Sequence, residues 1–391
     1  MRSIGIFTYS TKPRGSVVHA ACLAEALQRK GARVTLYALS KAGEGFFRPT
    51  SCELRLIPAR AAACEMDALI RQRIAEFRAG IRELTVKHHV FHAEDCLAAN
   101  ALVAARTDWP GAKLVRTMHH VEQFESPYLM DCQERSVVTA DLVLSVSRVT
   151  AREVREVFGR EAPVISNGVD LERFALRSTQ DEQRMRERLG VQATDLVVAS
   201  IGGVEPRKNS IEALRAVGTA LLSQPRLRWV VAGGASIWEH EAYRRQFAAQ
   251  LALLPAELRA RVTVLGTLSE AELGALYQVS DVLLFPSLQE GFGLCVLEAL
   301  AAKCAVIVPR GAPFDEYLDD QCATFVEPRS ASEIAAALQR LLRDEGERHR
   351  SANSGYQRVH QYSWDLVAER HLAHYESLLR LESFALRQPQ V

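Results

Sequence analysis

The chain has no run of ~18 uninterrupted apolar residues, so no segment is expected to span a membrane as a helix. It has no excess of charge. Lys and Arg number 48 against 47 Asp and Glu, a net of +1, which excludes the strongly basic footprint of a nucleic-acid binder. Its eight cysteines, at positions 22, 52, 64, 96, 132, 295, 304 and 322, form no C-x-x-C and no paired spacing. They read as reduced, structural residues of a cytoplasmic protein. Arg2 leads at once into the strand-like Ile4-Gly5-Ile6-Phe7 instead of a long apolar segment, so no secretory leader is expected. A repeat of short fixed period is missing too, which excludes a solenoid. The first strand is not followed by the dinucleotide fingerprint G-x-G-x-x-G. His92, His119, His120 and Asp95 lack the tight ligand spacing of an H-E-x-x-H, so no metal site is expected.

What is present is an alternation of short apolar runs and longer amphipathic ones. Ile4–Tyr9, Arg33–Leu39, Leu54–Pro58, Val90–His92, Lys113–Met118 and Leu142–Val146 read as strands in the first half. Leu196–Ile201, Trp229–Ala232, Val262–Leu265, Val282–Phe285, Ala305–Val308 and Ala323–Val326 repeat the pattern in the second. Helical periodicity fills the gaps, as in Val17–Lys30, where Ala20, Leu23, Ala24 and Leu27 share a face. Such alternation predicts an α/β chain with parallel sheets covered on both faces. A length of 391 residues suits two domains at ~100–200 residues each. The turn signal Asn167-Gly168 and the polar stretch Leu176–Arg188 place the boundary near 166–194.

The most informative stretch is Ser287–Lys303, SLQEGFGLCVLEALAAK. The apolar run Asp281–Pro286 before it is a buried strand and its exit. Gly291 and Gly293 then allow close backbone approach, and helical spacing begins at Leu294. A strand, a glycine-bearing turn and a helix start present unpaired N–H groups and a positive dipole end, which suit a phosphate. Glu298 falls inside this helix, where it can accept hydrogen bonds from hydroxyls such as those of a ribose, and Glu290 lies in the loop, within reach of another polyol. The plainer alternative is a helix N-terminus that favours Glu for its dipole, plus one solvated Glu. Upstream, the first strand of the second half ends in Gly202-Gly203-Val204-Glu205-Pro206-Arg207-Lys208-Asn209, before a helix capped by Asn209 or Ser210. Arg207 supplies a fork for phosphate oxygens and Lys208 a point charge, unless the two are merely surface cations.

Glu290-Gly-Phe-Gly-x4-Glu298 resembles the E-x7-E motif of retaining glycosyltransferases of the GT-B fold, in glycosyltransferase family 4. The resemblance runs in order along nearly the whole chain. It implies two Rossmann-like doubly wound domains facing each other across a cleft. Residues 1–166 would bind the acceptor and 167–365 the nucleotide-sugar donor, with a last helix, about 366–391, packing back on the first domain. Trp364 would be a packing residue there, and the tail Arg387–Val391 is expected to be disordered.

By the same resemblance Glu290 contacts the transferred sugar and Glu298 the ribose hydroxyls. The backbone of Gly291, Phe292, Gly293, Leu294 and Cys295 holds the diphosphate, together with Arg207 and Lys208. His119, after the strand Leu114–Arg116, corresponds to a histidine that touches the donor sugar, although a histidine at a strand end is often structural. His120, Glu122 and Asp95 are lesser candidates. Gly202, Gly203 and Gly233 approach the nucleotide, and Leu265–Leu268 corresponds to a base-contacting segment. Gly203 stands where the family often carries an arginine. Gly15 lies in a loop that is glycine-rich in the family, but an ordinary strand–helix turn explains it equally. Glu316 matches a mostly structural glutamate.

The implied activity is transfer of a sugar from a UDP-, GDP- or ADP-sugar to an acceptor hydroxyl with retention. No cofactor or metal is expected, since no D-x-D stands in a matching place. The acceptor class stays open among sugars, lipid-linked groups and small molecules, and so does the oligomeric state. Three rivals remain: a nucleotide-sugar epimerase on the same fold, a non-catalytic sugar-nucleotide binder, and a glycosidase using Glu290 and Glu298 as its carboxyl pair. The basic segments Arg71–Arg82 and Arg184–Arg188 fit either a peripheral membrane contact or a solvated face.

Overall fold

The computed structural model describes residues 3–41, 43–61, 65–175, 178–234 and 240–385. Arg2, Cys64, the first two residues of the polar stretch (176 and 177) and the tail Arg387–Val391 lie outside the described residues. The chain divides into two compact units, residues 1–168 with 364–391, and residues 169–363.

The first unit is built on β1 (Ser3–Thr8), β2 (Arg33–Lys41), β3 (Glu53–Ala59), β4 (Val90–Ala93), β5 (Lys113–Met118) and β6 (Leu142–Ser145). They form one parallel sheet in the order β3-β2-β1-β4-β5-β6. The second unit carries β7 (Leu196–Ile201), β8 (Leu227–Ala232), β9 (Val262–Val264), β10 (Val282–Leu284), β11 (Ala305–Pro309) and β12 (Thr324–Val326). Its order, β12-β11-β10-β7-β8-β9, is the same winding repeated. Each strand predicted from the alternation is present, with its ends moved by at most two residues. Every residue of β1, β4 and β10 is buried, the pattern of strands covered on both faces.

Six helices bear on the site: α1 (Gly15–Arg29), α2 (Met66–Arg82), α3 (Ser210–Ser223), α4 (Glu270–Val279), α5 (Leu294–Ala301) and α6 (Trp364–Ala385). In the first unit Phe7 stacks on Tyr37, with ring centroids 4.5 Å apart, and meets the edge of Phe91. In the second, Trp229 is fully buried and its indole N–H donates to Ser200 at 3.0 Å, so the large ring costs no lost hydrogen bond. Both sheets reverse their winding direction at the central pair, β1/β4 and β7/β10, where doubly wound sheets open a crevice at the strands' carboxyl ends. The segments after β1 and β4 carry Gly15 and Glu94, and those after β7 and β10 carry Lys208 and Glu290.

Helix α6 returns the chain to the first unit, where Asp365 pairs with Arg29 of α1 and Glu369 with Lys30 just past its end, each at 2.7 Å. Trp364 is buried against His19, with ring centroids 5.3 Å apart, so it is a packing residue. No helix among the described residues is long and apolar enough to cross a membrane.

Candidate active site

The second unit gathers the charged residues of the phosphate-like motif. Lys208 Nζ lies 2.6 Å and Arg207 Nη1 2.8 Å from the same Glu290 oxygen, Oε1. Arg207 Nη1 also donates to the Gln289 carbonyl at 3.1 Å, and the Leu288 N–H donates back to the Arg207 carbonyl at 2.8 Å. These bonds tie the loop after β7 to the loop after β10. The Lys208 ammonium sits over the Phe285 ring at 4.4 Å, which holds the stem on an apolar face while the head meets the carboxylate. Burial alone would push the Glu290 carboxyl up. Lys208 and Arg207 outweigh that and hold it at about 2.

The glycines of this region act first on the chain itself. A Cβ on Gly202 would stand 2.4 Å from Lys208 Cε, and one on Gly233 would stand 2.3 Å from the Gly203 nitrogen. The ends of β7 and β8 therefore pack backbone against backbone, and the Gly202 and Gly203 N–H groups both donate to the Ala232 carbonyl, at 2.8 and 3.0 Å. Asn209 is the residue before α3 but does not cap it. Its φ is 57°, and its side-chain amide donates to the carbonyls of Pro286 and Pro328. Ser210 does not cap the helix either: its hydroxyl donates to the Gly203 carbonyl at 3.1 Å and accepts from the Glu205 N–H. The expectation of an ordinary cap gives way because both side chains are spent on bracing the cation loop.

Helix α5 starts on Gly293, whose φ of 93° places it in the left-handed region. A glycine there supplies no capping side chain, so no side chain at that position satisfies the first-turn N–H groups at the positive dipole end. The Phe292 ring is stacked on Tyr317 at 4.7 Å, and the Phe292 carbonyl accepts the Tyr317 hydroxyl at 3.0 Å. Gly291 is a half-buried bend residue. Glu298, in the middle of α5, accepts from the Tyr277 hydroxyl of α4 at 2.9 Å. Burial pushes its carboxyl up to about 7.

The first unit holds a second constellation. His119, just past β5, brings Nε2 to 2.8 Å from Glu94 Oε2, and His19 of α1 brings Nδ1 to 3.0 Å from that oxygen. His92 stands behind, with Nε2 at 3.7 Å from Glu94 Oε1. It also bonds the hydroxyls of Thr117, at 2.7 Å, and Tyr375 of α6, at 2.5 Å. One donor-type atom each from His19, Glu94 and His119 lies within 4.8 Å of the others. Of the two imidazoles only His119 hydrogen-bonds that oxygen; His19 Nδ1 lies close to it without making a hydrogen bond, and neither ring nitrogen of His19 has a hydrogen-bond partner among the described residues.

Reading the sequence missed His19 and Glu94. His19 precedes Leu23 and Ala26 by four and seven residues, the spacing of a buried helix face, and Glu94 follows His92 by two, the spacing of one strand face. Asp95 is structural: its carboxylate accepts the N–H groups of Tyr9 and Ala98, both at 2.8 Å, pinning β1 to the helix that follows β4. His120 pairs with Glu122 at 2.6 Å. Gly15 is the first residue of α1, with open space where a Cβ would stand. Glu316 sits in a short 3-10 turn. The seven described cysteines are free.

Many arginines of the two basic segments are engaged within the chain. Arg71 covers the Tyr128 ring, and Arg73 and Arg82 pair with Glu76 and Asp108. Arg184, Arg186 and Arg188 pair with Asp181, Glu182 and Glu272.

Residues 181–358 match the sequence family described as Glycosyl transferases group 1, and residues 13–173 the one described as Glycosyltransferase Family 4. Over 311 residues the chain is 26% identical to a D-inositol 3-phosphate glycosyltransferase of Kribbella flavida, across 74% of this chain and 71% of that one. It is 25% identical over 386 residues to the protein of the same name from Corynebacterium glutamicum, across 90% and 89%. Sucrose-phosphate synthase from Thermosynechococcus elongatus superposes with a TM-score of 0.79 at 20% identity, over 97% of this chain and 100% of that one. HepE of Anabaena, solved with UDP and glucose, gives a TM-score of 0.79 at 18% identity, over 96% and 100%. These likenesses show the fold, GT-B.

Proposed function

We propose, from the premise that this chain belongs to the family 4, group 1 glycosyltransferases, that it moves a sugar with retention from a nucleotide diphosphate to an acceptor hydroxyl, without a metal ion. One observation carries the reading: Arg207 and Lys208 converge with Glu290 beside the uncapped start of α5. Two cations and a helix dipole supply the positive charge that a departing diphosphate needs. The bond from the anomeric carbon to the diphosphate oxygen breaks, and its electron pair stays on the phosphate. The acceptor oxygen bonds to that carbon on the same face, and its proton passes to the departing phosphate oxygen. Glu290 and His119 orient the sugar, and Glu298 takes the ribose hydroxyls. The solved HepE complexes with UDP and with UDP-glucose make a uridine donor the first choice of probe.

Incubation with UDP-, GDP- and ADP-glucose and a panel of hydroxyl acceptors, monitored for released nucleoside diphosphate, tests this. Turnover with one donor and an axial linkage in the product are expected, with Lys208→Ala losing ~10²-fold or more in kcat/KM. A new epimer of the donor, or tight donor binding with no release, would sink the proposal.

A further inference from the structure

We propose that Glu94 is a positioning residue, a buried carboxylate that holds His119 in its Nε2–H tautomer and so makes His119 Nδ1 a hydrogen-bond acceptor for a sugar hydroxyl. The proposal rests on the reading of His119 as a sugar contact and adds the polarity of that contact.

Glu94 and His19 have no exposed side-chain surface, whereas His119 keeps 14%. An ionised carboxylate only accepts hydrogen bonds. At 2.8 Å from Glu94 Oε2, His119 Nε2 must therefore carry the proton. A neutral imidazole has one N–H, so Nδ1 is left with its lone pair. Among the described residues no group bonds to that nitrogen. Burial holds the His119 ring neutral, down to about 4, against the pull of Glu94.

The surroundings hold this arrangement from every side. His19 of α1 packs its ring against the same Glu94 oxygen, with Nδ1 at 3.0 Å but no hydrogen bond, and so leaves His119 as the ring that bonds it. His92 bridges the Tyr375 hydroxyl of α6 and the Thr117 hydroxyl, two residues before His119, and so fixes the end of β5. His371 of α6 packs beside His19 and His92, with centroids at 6.1 and 5.7 Å, and the buried Arg116 of β5 is the nearby cation. The other Glu94 oxygen has no hydrogen-bond partner and faces His92 at 3.7 Å. The carboxylate is thus shared among three rings from α1, β4 and the end of β5, and only one of them reaches solvent. A sugar group facing Nδ1 must donate. A hydroxyl does, whereas the carboxylate of a uronic acid would set lone pair against lone pair.

Long-range nitrogen-15 spectra of the histidine rings in the full-length protein test the proposal without any substrate, so the result is independent of whether a donor has been found. The His119 signals are assigned by their loss in His119→Asn. A protonated-type shift at Nε2 and a lone-pair-type shift at Nδ1 are expected, a tautomer preference of at least about tenfold from one charge-assisted bond. In Glu94→Met, which removes the acceptor, the two His119 shifts should converge. A proton on Nδ1, averaged shifts in the unmodified protein, or shifts that move on treatment with EDTA would each overturn the assignment. If Glu94→Met does not fold, the unmodified spectrum alone decides.

Discussion

Glu290 engages both of the cations proposed to meet the diphosphate. Both Arg207 and Lys208 donate to one of its oxygens, so the carboxylate is held ionised. Glu290→Gln therefore has two separable effects. It frees positive charge, so affinity for UDP should be kept or tightened, while loss of the anion facing the sugar should cut turnover by ~10²-fold. Titration calorimetry with UDP beside steady-state kinetics checks the split, and parallel losses would remove Glu290 from the sugar. Glu298 is the opposite case, since burial raises its carboxyl from an ordinary 4.5 to about 7. The folded chain then holds this proton more tightly than the unfolded one. Its contribution to stability is full below about 4.5 and is lost as pH rises through about 7. For ribose hydroxyls the ionised form is the better acceptor, so UDP affinity should strengthen between pH 6 and pH 8. Glu298→Gln should flatten that profile, and a flat profile in the unmodified protein would count against the ribose assignment.

Helix α5 is short, eight residues, and its place depends on Gly293. A side chain there would meet Phe314 at 2.8 Å from a backbone with φ 93°. Gly293→Ala should cost ~1–3 kcal/mol of stability and weaken UDP binding together, because the strain is relieved only by shifting the helix start. Thermal unfolding and calorimetry on the same variant check the pairing, and a loss of stability with unchanged affinity would separate α5 from the phosphates. Gly202→Ala acts on the neighbouring loop, where a Cβ would displace the Lys208 stem from the Phe285 face and its ammonium from Glu290. The alternation of periods made these elements legible, since β7 and β10 are apolar runs followed by Gly202 and Pro286, and α5 is a largely apolar helix that opens after Gly293. It left obscure that Gly202, Gly203 and Gly233 close on one another, because a glycine reserved for backbone contact and one reserved for a ligand look alike in a string of letters.

At the scale of the whole chain, the first unit is discontinuous and the second is not. The chain passes from one to the other after Gly168 and returns before Trp364. At Gly168 a Cβ would lie 2.7 Å from the Trp364 nitrogen, and the Val169 N–H donates to the Tyr362 carbonyl at 2.6 Å, so the two passages lie side by side. Ending the chain at Ser363 removes Tyr375 from His92 and Trp364 from His19. The first unit should then lose its order while the second keeps UDP binding. Limited proteolysis with calorimetry distinguishes this from loss of both, which would mean that the second unit does not stand alone. Sequence alone marked out the strands, the helices between them, and the glycine-bearing turn that opens α5. Each of these is written in local periodicity, turn chemistry and motif spacing. Only the folded chain decided that Glu290 clamps both cations, that Asn209 braces a loop instead of capping a helix, and that His19, Glu94, His92 and Tyr375 meet. Those contacts join residues up to 283 positions apart. No spacing records such contacts: burial of a charge selects its partners by distance in space, and that distance is set by sheet order and helix packing.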